Sequence, residues 1–110
     1  MKPLIDRATS VVKNPKAWPE GDRMQRRSVS FGPYVLTITQ RLVFPTTNLD
    51  ALKSIRRARL EVVERIESEF KRNPCGPAKA AWEAVIRVGH AGMLVARLDA
   101  RLECTDVPSD

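Results

Sequence analysis

The sequence predicts an α+β fold, in which a small antiparallel or mixed sheet of about three strands packs against two helices, with an N-terminal amphipathic helix on a basic arm. Three observations predict this fold. A long apolar stripe at helical spacing fills the middle of the chain, and stretches of alternating apolar and polar residues lie before it and near the end. A length of 110 residues allows one hydrophobic core. We therefore expect an arm at 1–27, a core domain at 28–104 and a polar C-terminal tail at 105–110.

The N-terminal residues have the pattern of a short amphipathic helix. Its apolar face consists of Leu4, Ile5, Ala8, Val11 and Val12. Asn14 and Pro15 should end the helix. A helix this short is not stable alone in water, so its apolar face must dock on its own domain or on a neighbour.

A linker or arm follows at residues 14–27, NPKAWPEGDRMQRR, because prolines, a glycine and basic residues interrupt any regular period there. Trp18 is its one large apolar side chain. We expect the arm to meet the core domain near Ser28.

The next stretch, SVSFGPYVLTITQRLVF, predicts a strand pair, or one long strand with a bulge at Gly32 and Pro33. The apolar face of its second half consists of Leu36, Ile38, Leu42 and Phe44. Gln40 interrupts this face.

Two helices are predicted after Pro45. The first begins with Thr47 or Asn48 as its N-cap and continues to about residue 72, where Asn73 and Pro74 stop it. Its stripe consists of Leu52, Ile55, Val62, Val63, Ile66 and Phe70. Pro77 suits the first position of a second helix, which we expect over 78–88, ending at Gly89.

The stretch MLVARLDARLEC at 93–104 fits two structures. Apolar residues occupy every even position from Leu94 to Cys104, which indicates a strand, whereas Leu94, Leu98 and Leu102 are also four apart, as in a helix. Helix propensity is the weaker argument, because burial of a half-polar strand overrides it. We therefore predict a strand with a charged face.

The charge balance favours anionic partners. Lysine and arginine number 19 against 13 acidic residues, a net charge of +6. The basic residues concentrate on the arm and on the first half of the long helix, which suggests a phosphate-binding surface. The residues of this alternative, a nucleic-acid-binding function, are Arg23, Arg26, Arg27, Lys53, Arg56, Arg57 and Arg59.

No pattern in the sequence predicts an enzyme. His90 is the only histidine, and the sequence contains no phosphate-binding glycine motif and no metal-ligand motif, so we expect no catalytic residues, metal, cofactor or small-molecule substrate. Two cysteines, Cys75 and Cys104, favour a reduced, intracellular protein, although a single disulfide would also fit. The sequence shows no signal peptide or membrane span, which predicts a cytoplasmic protein or one assembled into a virion.

The remaining features predict a protein that associates with itself or with another protein. An amphipathic helix on a proline-containing tether and a sheet of few strands leave apolar and hydrogen-bonding surface that a second copy could cover. The expected contact surfaces are the arm and the sheet edge, with Leu4, Ala8, Val11, Val12 and Trp18 as anchors. Small basic α+β proteins of this type occur among virion components such as those of phage tails and necks. The sequence therefore predicts a non-enzymatic assembly protein.

Overall fold

The structure is a computed structural model that describes residues 2–19, 22–31, 33–43, 46–73 and 81–104; for residues 2–5 and 31 the description covers the backbone. The elements in chain order are α1 (Lys2–Lys13), a 3-10 turn (Pro15–Ala17), β1 (Met24–Phe31), β2 (Tyr34–Leu42), α2 (Leu49–Arg72), β3 (Ala81–His90) and β4 (Met93–Cys104). The fold is α+β, with two α-helices and one four-stranded sheet in these residues.

The sheet is antiparallel throughout and has the strand order β1-β2-β4-β3. The β1–β2 and β3–β4 pairs are hairpins, and the second closes through Ala91 and Gly92, which both have positive φ. Two consecutive residues with positive φ form a two-residue hairpin turn, whose backbone twist matches that of the strands it connects. The central strands are β2 and β4, so β1 and β3 are the two edges of the sheet.

Helix α2 covers one face of the sheet and packs on β3 and β4, while α1 packs on α2 and β1. Of the two N-caps that the sequence allows, Thr47 and Asn48, the structure has Asn48, which accepts a hydrogen bond from the amide of Ala51. The helix ends at Arg72 with Asn73 as its C-cap, which agrees with the predicted stop. The core between α2 and the sheet includes Leu36, Ile38, Ile55, Val62, Ile66, Trp82, Leu98 and Leu102.

The strand interpretation of 93–104 is confirmed, since these residues form β4. The predicted helix over 78–88 is wrong, because residues 81–90 form β3, and the sheet accordingly has four strands instead of about three. Trp82, Ile86 and Val88 are buried while Glu83 and Arg87 are exposed, a period of two. Alanine-rich composition and Pro77 favoured a helix locally, but pairing with β4 overrides that preference.

The first strand begins earlier than the sequence indicates. β1 starts at Met24, so Arg26 and Arg27 belong to the sheet and not to an arm that ends at residue 27. β1 has few apolar residues because it is an edge strand, and this is why its alternation is weak in the sequence.

Cys104 is disulfide-bonded at the end of β4, which corrects the expectation of reduced cysteines. The one other cysteine of the sequence is Cys75, which lies outside the described residues.

Neither described helix has the combination of length and apolar composition that a membrane-spanning helix needs.

Candidate interaction surfaces

The N-terminal segment, residues 2–18, which comprises α1, the 3-10 turn and Trp18, docks on its own domain. Ala8, Val12 and Trp18 are buried in the same core as α2. The Trp18 indole Nε1 donates a hydrogen bond to the Val11 carbonyl at 3.2 Å, and the Arg59 guanidinium lies 5.2 Å from the centre of the Trp18 ring. A cation over an aromatic face adds electrostatic attraction to the apolar contact. These predicted anchors therefore contact their own chain, and they could contact a second copy only by exchange of the segment.

Of the other two predicted anchors, Val11 is less buried, and the side chain of Leu4 is not among the described parts of the structure. Val11 is half-buried on α1, and its carbonyl serves the Trp18 indole. Leu4 lies in α1, but its side chain is outside the described part of the structure. The five residues thus do not form one exposed apolar patch.

A buried polar pair joins α2 to the sheet. Gln40 on β2 is fully buried, and its Oε1 accepts a hydrogen bond from the Arg59 Nε at 2.6 Å. Gln40 interrupts the apolar face of its strand because Arg59 reaches it from the helix above. Arg59 is only 4% exposed, so it is not available to a nucleic acid.

The other basic residues predicted for nucleic-acid binding lie on several surfaces. Arg26 is exposed on the sheet face opposite α2, and Arg27, half-buried on the face toward the helices, donates a hydrogen bond to the Arg26 carbonyl. Arg56 lines a groove beside Val12 of α1, whereas Arg57 lines a groove beside β3 on the other flank of α2. Lys53 on α2 and Arg23 before β1 are exposed. The structure therefore does not unite the seven residues in one surface.

The face of the sheet opposite α2 is open in the described residues, and it carries a depression of about 550 Å³. The residues that line it are mostly polar or charged: Arg26, Ser28, Thr37, Thr39, Glu83, Ala84, Val85, Arg97, Asp99, Ala100, Arg101 and Glu103. An antiparallel sheet commonly has one face in the core and one in solvent.

Charges on this open face are unevenly distributed. Arg101 contacts Glu83 on the neighbouring strand and Glu103 on its own strand, so the base near the end of β4 has two acidic partners. Toward the β3–β4 turn, Arg41, Arg97 and Arg87 stand directly opposite one another on β2, β4 and β3. The sequence alone does not single out these three arginines, because their proximity depends on strand register.

Arg97 of this row forms an ion pair with Asp99 at 3.0 Å. Arg41 and Arg87 are exposed and form no ion pair within the described ranges. Like charges directly opposite on neighbouring strands repel each other, so the row lowers the stability of the isolated chain.

The two edge strands differ in how they are covered. On β1, the Ser30 carbonyl accepts a hydrogen bond from Arg7 of α1 at 3.1 Å, and α1 packs beside the strand. On β3, the Val85 carbonyl accepts a long hydrogen bond of 3.4 Å from Arg65 of α2. Val85 is itself 40% exposed. No described strand pairs with the outer side of β3, and the side chain in the middle of this strand reaches solvent.

Exposed apolar side chains gather at the end of the sheet near the β3–β4 turn. Met24, Val43, Met93 and Leu94 are each about half exposed, and main-chain hydrogen bonds join Leu42 to Arg23 and Val43 to Val95 there. This end adds apolar surface beside the row of arginines.

His90 is half-buried at the end of β3, and no group of three or more potential ligands among the described histidine, cysteine, aspartate and glutamate residues could hold a metal ion. Comparisons with protein-family models, with curated proteins and with solved structures give no match for this chain.

Proposed function

We propose that this chain is a non-enzymatic assembly protein that associates with itself, with the edge of β3 and the N-terminal segment as its contact surfaces. The observation that carries the proposal is the edge of β3. This strand is 10 residues long, it pairs only with β4 in the described sheet, and Val85 in its middle is exposed. Such an edge presents unpaired main-chain donors and acceptors, which another strand can complete.

The N-terminal segment supplies the second contact surface. Ala8, Val12 and Trp18 are buried in the same core as α2, and in the sequence five residues, 19–23, separate Trp18 from the start of β1. If neighbouring copies exchange the segment, the same contacts form between chains instead of within one, at little cost in contact energy. An assembly larger than a dimer needs two different surfaces on each copy, and the edge and the segment provide two. A virion component of the phage tail or neck type is the kind of assembly that we propose.

Sedimentation velocity over a wide range of protein concentration tests this function. We expect a discrete species heavier than the 12.4 kDa chain that persists in high salt, because main-chain pairing and apolar contacts are only weakly screened. A single species at the mass of one chain at every concentration would overturn the proposal.

Nucleic-acid binding is a second candidate, and the row of Arg41, Arg97 and Arg87 favours it. Guanidinium groups bind phosphate in a bidentate manner, and an anionic backbone along the row would relieve its repulsion. The described residues of the open face include no aromatic side chain on which bases could stack, so this binding would not distinguish sequences.

A labelled oligonucleotide duplex, titrated by fluorescence anisotropy at several salt concentrations, tests the second candidate. Replacing Arg41 and Arg97 by glutamine should reduce the slope of log K against log salt by about 2, since each lost phosphate contact removes about 0.9. The matched variant with Lys53→Gln and Arg57→Gln should retain the slope. An equal reduction of this slope in the two double variants would refute this candidate, as would the absence of binding by the unaltered chain at low salt.

A further inference from the structure

The outward groups of β3 and its side-chain charges define how a second copy would pair with it. The hydrogen bond that the Val85 carbonyl accepts comes from the Arg65 guanidinium of α2 and not from the neighbouring strand β4. In an antiparallel sheet the amide and carbonyl of one residue point to the same side, and this side alternates along the strand. Glu83, Val85 and Arg87 therefore direct their main-chain groups toward the side of β3 on which no described strand lies.

The side chains of the same three residues lie on the open face of the sheet. Glu83 and Arg87 are exposed, with Val85 midway between them, whereas Trp82, Ile86 and Val88 are buried beneath α2. The edge thus carries an acid, an apolar residue and a base in order. This order is complementary to itself when read in the opposite direction.

We propose that two copies of this chain pair antiparallel through β3 about a two-fold axis at Val85. Glu83 of each copy then lies opposite Arg87 of the other, so the contact contains the same ion pair twice. The Val85 residues of the two copies exchange both main-chain hydrogen bonds, and the two sheets become one sheet of eight strands. This inference rests on the proposed self-association and specifies its partner and register.

Other registers fit this edge less well. An axis at Glu83 or at Arg87 would place that residue opposite its own copy, where like charges repel. An axis at Ala84 would oppose Glu83 to Val85 and Arg87 to Ala81, and an axis at Ile86 would oppose Arg87 to Val85. Only the axis at Val85 opposes both charged residues to opposite charges.

The proposed pairing also balances a charge that the single chain leaves unbalanced. Arg87 stands opposite Arg97 and has no ion pair within the described residues. Glu83 already contacts Arg101, and in the dimer it would lie between Arg101 and Arg87 of the second copy. Arg65 must release the Val85 carbonyl, a loss of one exposed hydrogen bond that the main-chain bonds of the new strand pair replace.

Charge reversal at the edge tests this register. Glu83→Arg places two arginines opposite each other at both symmetric positions, and Arg87→Glu does the same with two glutamates. We expect each single variant to raise the dimer dissociation constant, measured by sedimentation equilibrium, by roughly ten- to a hundredfold. The double variant with Glu83→Arg and Arg87→Glu restores opposite charges and should recover most of the affinity.

The control is Arg41→Glu, which makes the same change in net charge as Arg87→Glu on the same face but on the internal strand β2. It should change the dissociation constant by no more than about twofold, since it lies away from the edge. Thermal unfolding verifies that the variants fold. If Glu83→Arg lowers the melting temperature through loss of the Arg101 contact, the comparison of Arg87→Glu with Arg41→Glu, neither of which changes Glu83, still decides the question.

The outcomes separate this inference from the function on which it rests. A chain that is monomeric at every concentration overturns both. If the unaltered chain forms an oligomer, and neither single variant changes its mass or its dissociation constant, the register is wrong and self-association still stands. Loss in the single variants without recovery in a double variant that keeps the melting temperature of the unaltered chain also overturns the register.

Discussion

Trp18→Ala is the most informative substitution for the docking of the N-terminal segment. The Trp18 side chain is 1% exposed, donates to the Val11 carbonyl and stacks under the Arg59 guanidinium. A buried aromatic side chain of this class removes roughly 150–250 Å² from water. At about 25 cal/mol per Å² this corresponds to roughly 4–6 kcal/mol, and the cation–π contact adds about 1 kcal/mol.

Partial collapse of the site reduces this loss, so we expect Trp18→Ala to lower the free energy of unfolding by about 4 kcal/mol, within the range measured for such truncations. Urea unfolding followed by far-UV circular dichroism gives the value. The fluorescence of Trp82, the one tryptophan that remains, reports the core between α2 and the sheet. Trp18→Phe should lose less, because it keeps an aromatic ring.

The matched control is Lys16→Ala, an exposed position in the same turn, which should change stability by less than about 0.5 kcal/mol. A loss below about 1 kcal/mol for Trp18→Ala would refute the docking, since no other described contact of this size joins the segment to the core. If copies exchange the segment, the stability of the unaltered chain will also rise with protein concentration.

Three further predictions concern the interior, the β3–β4 turn and the disulfide. Arg59→Met leaves the Gln40 amide buried without its partner and should lower the free energy of unfolding by about 3 kcal/mol, whereas adding Gln40→Leu should recover most of that loss in urea unfolding; an equal loss in both variants would contradict the pairing. Ala91→Asn should stabilise the chain by about 0.5–1 kcal/mol in the same assay, because Ala91 has a φ of 52° and asparagine tolerates that region; destabilisation would contradict the turn geometry. Cys104→Ser should lower stability by about 2–4 kcal/mol under oxidising conditions and remove any effect of a reductant, whereas free thiols in the unaltered, unfolded chain would show that the bond is absent.

The sequence pattern alone predicted correctly the helices and strands whose apolar residues repeat with a clear period. The alternation of β2 and β4 and the stripe of α2 each lie within one segment, and Asn48 and Asn73 bound α2 through bonds to residues nearby in sequence. β3 was mistaken for a helix although Trp82, Ile86 and Val88 alternate with Glu83 and Arg87. Exposed Val85 obscured that period, and alanine and proline favoured the helix.

The candidate surfaces depend on contacts between distant residues, which the sequence does not reveal. Gln40 and Arg59 are 19 residues apart, and their hydrogen bond forms only when the fold brings this part of α2 within reach of β2. The row of Arg41, Arg97 and Arg87 requires the strand order and register of the sheet. Composition predicted a basic protein, but it could not tell that Arg59 is buried or that Arg26 and Arg57 lie on different surfaces.

Amide hydrogen exchange along β3 tests self-association through this edge most directly. The measurement compares the amides of Glu83, Val85 and Arg87 at low concentration and at concentrations where sedimentation detects the larger species. Pairing predicts that these outward amides exchange rapidly in the monomer and become strongly protected in the assembly, while the amides of Ala84 and Ile86, which face β4, are protected in both. Rapid exchange of the outward amides at every concentration would contradict the account.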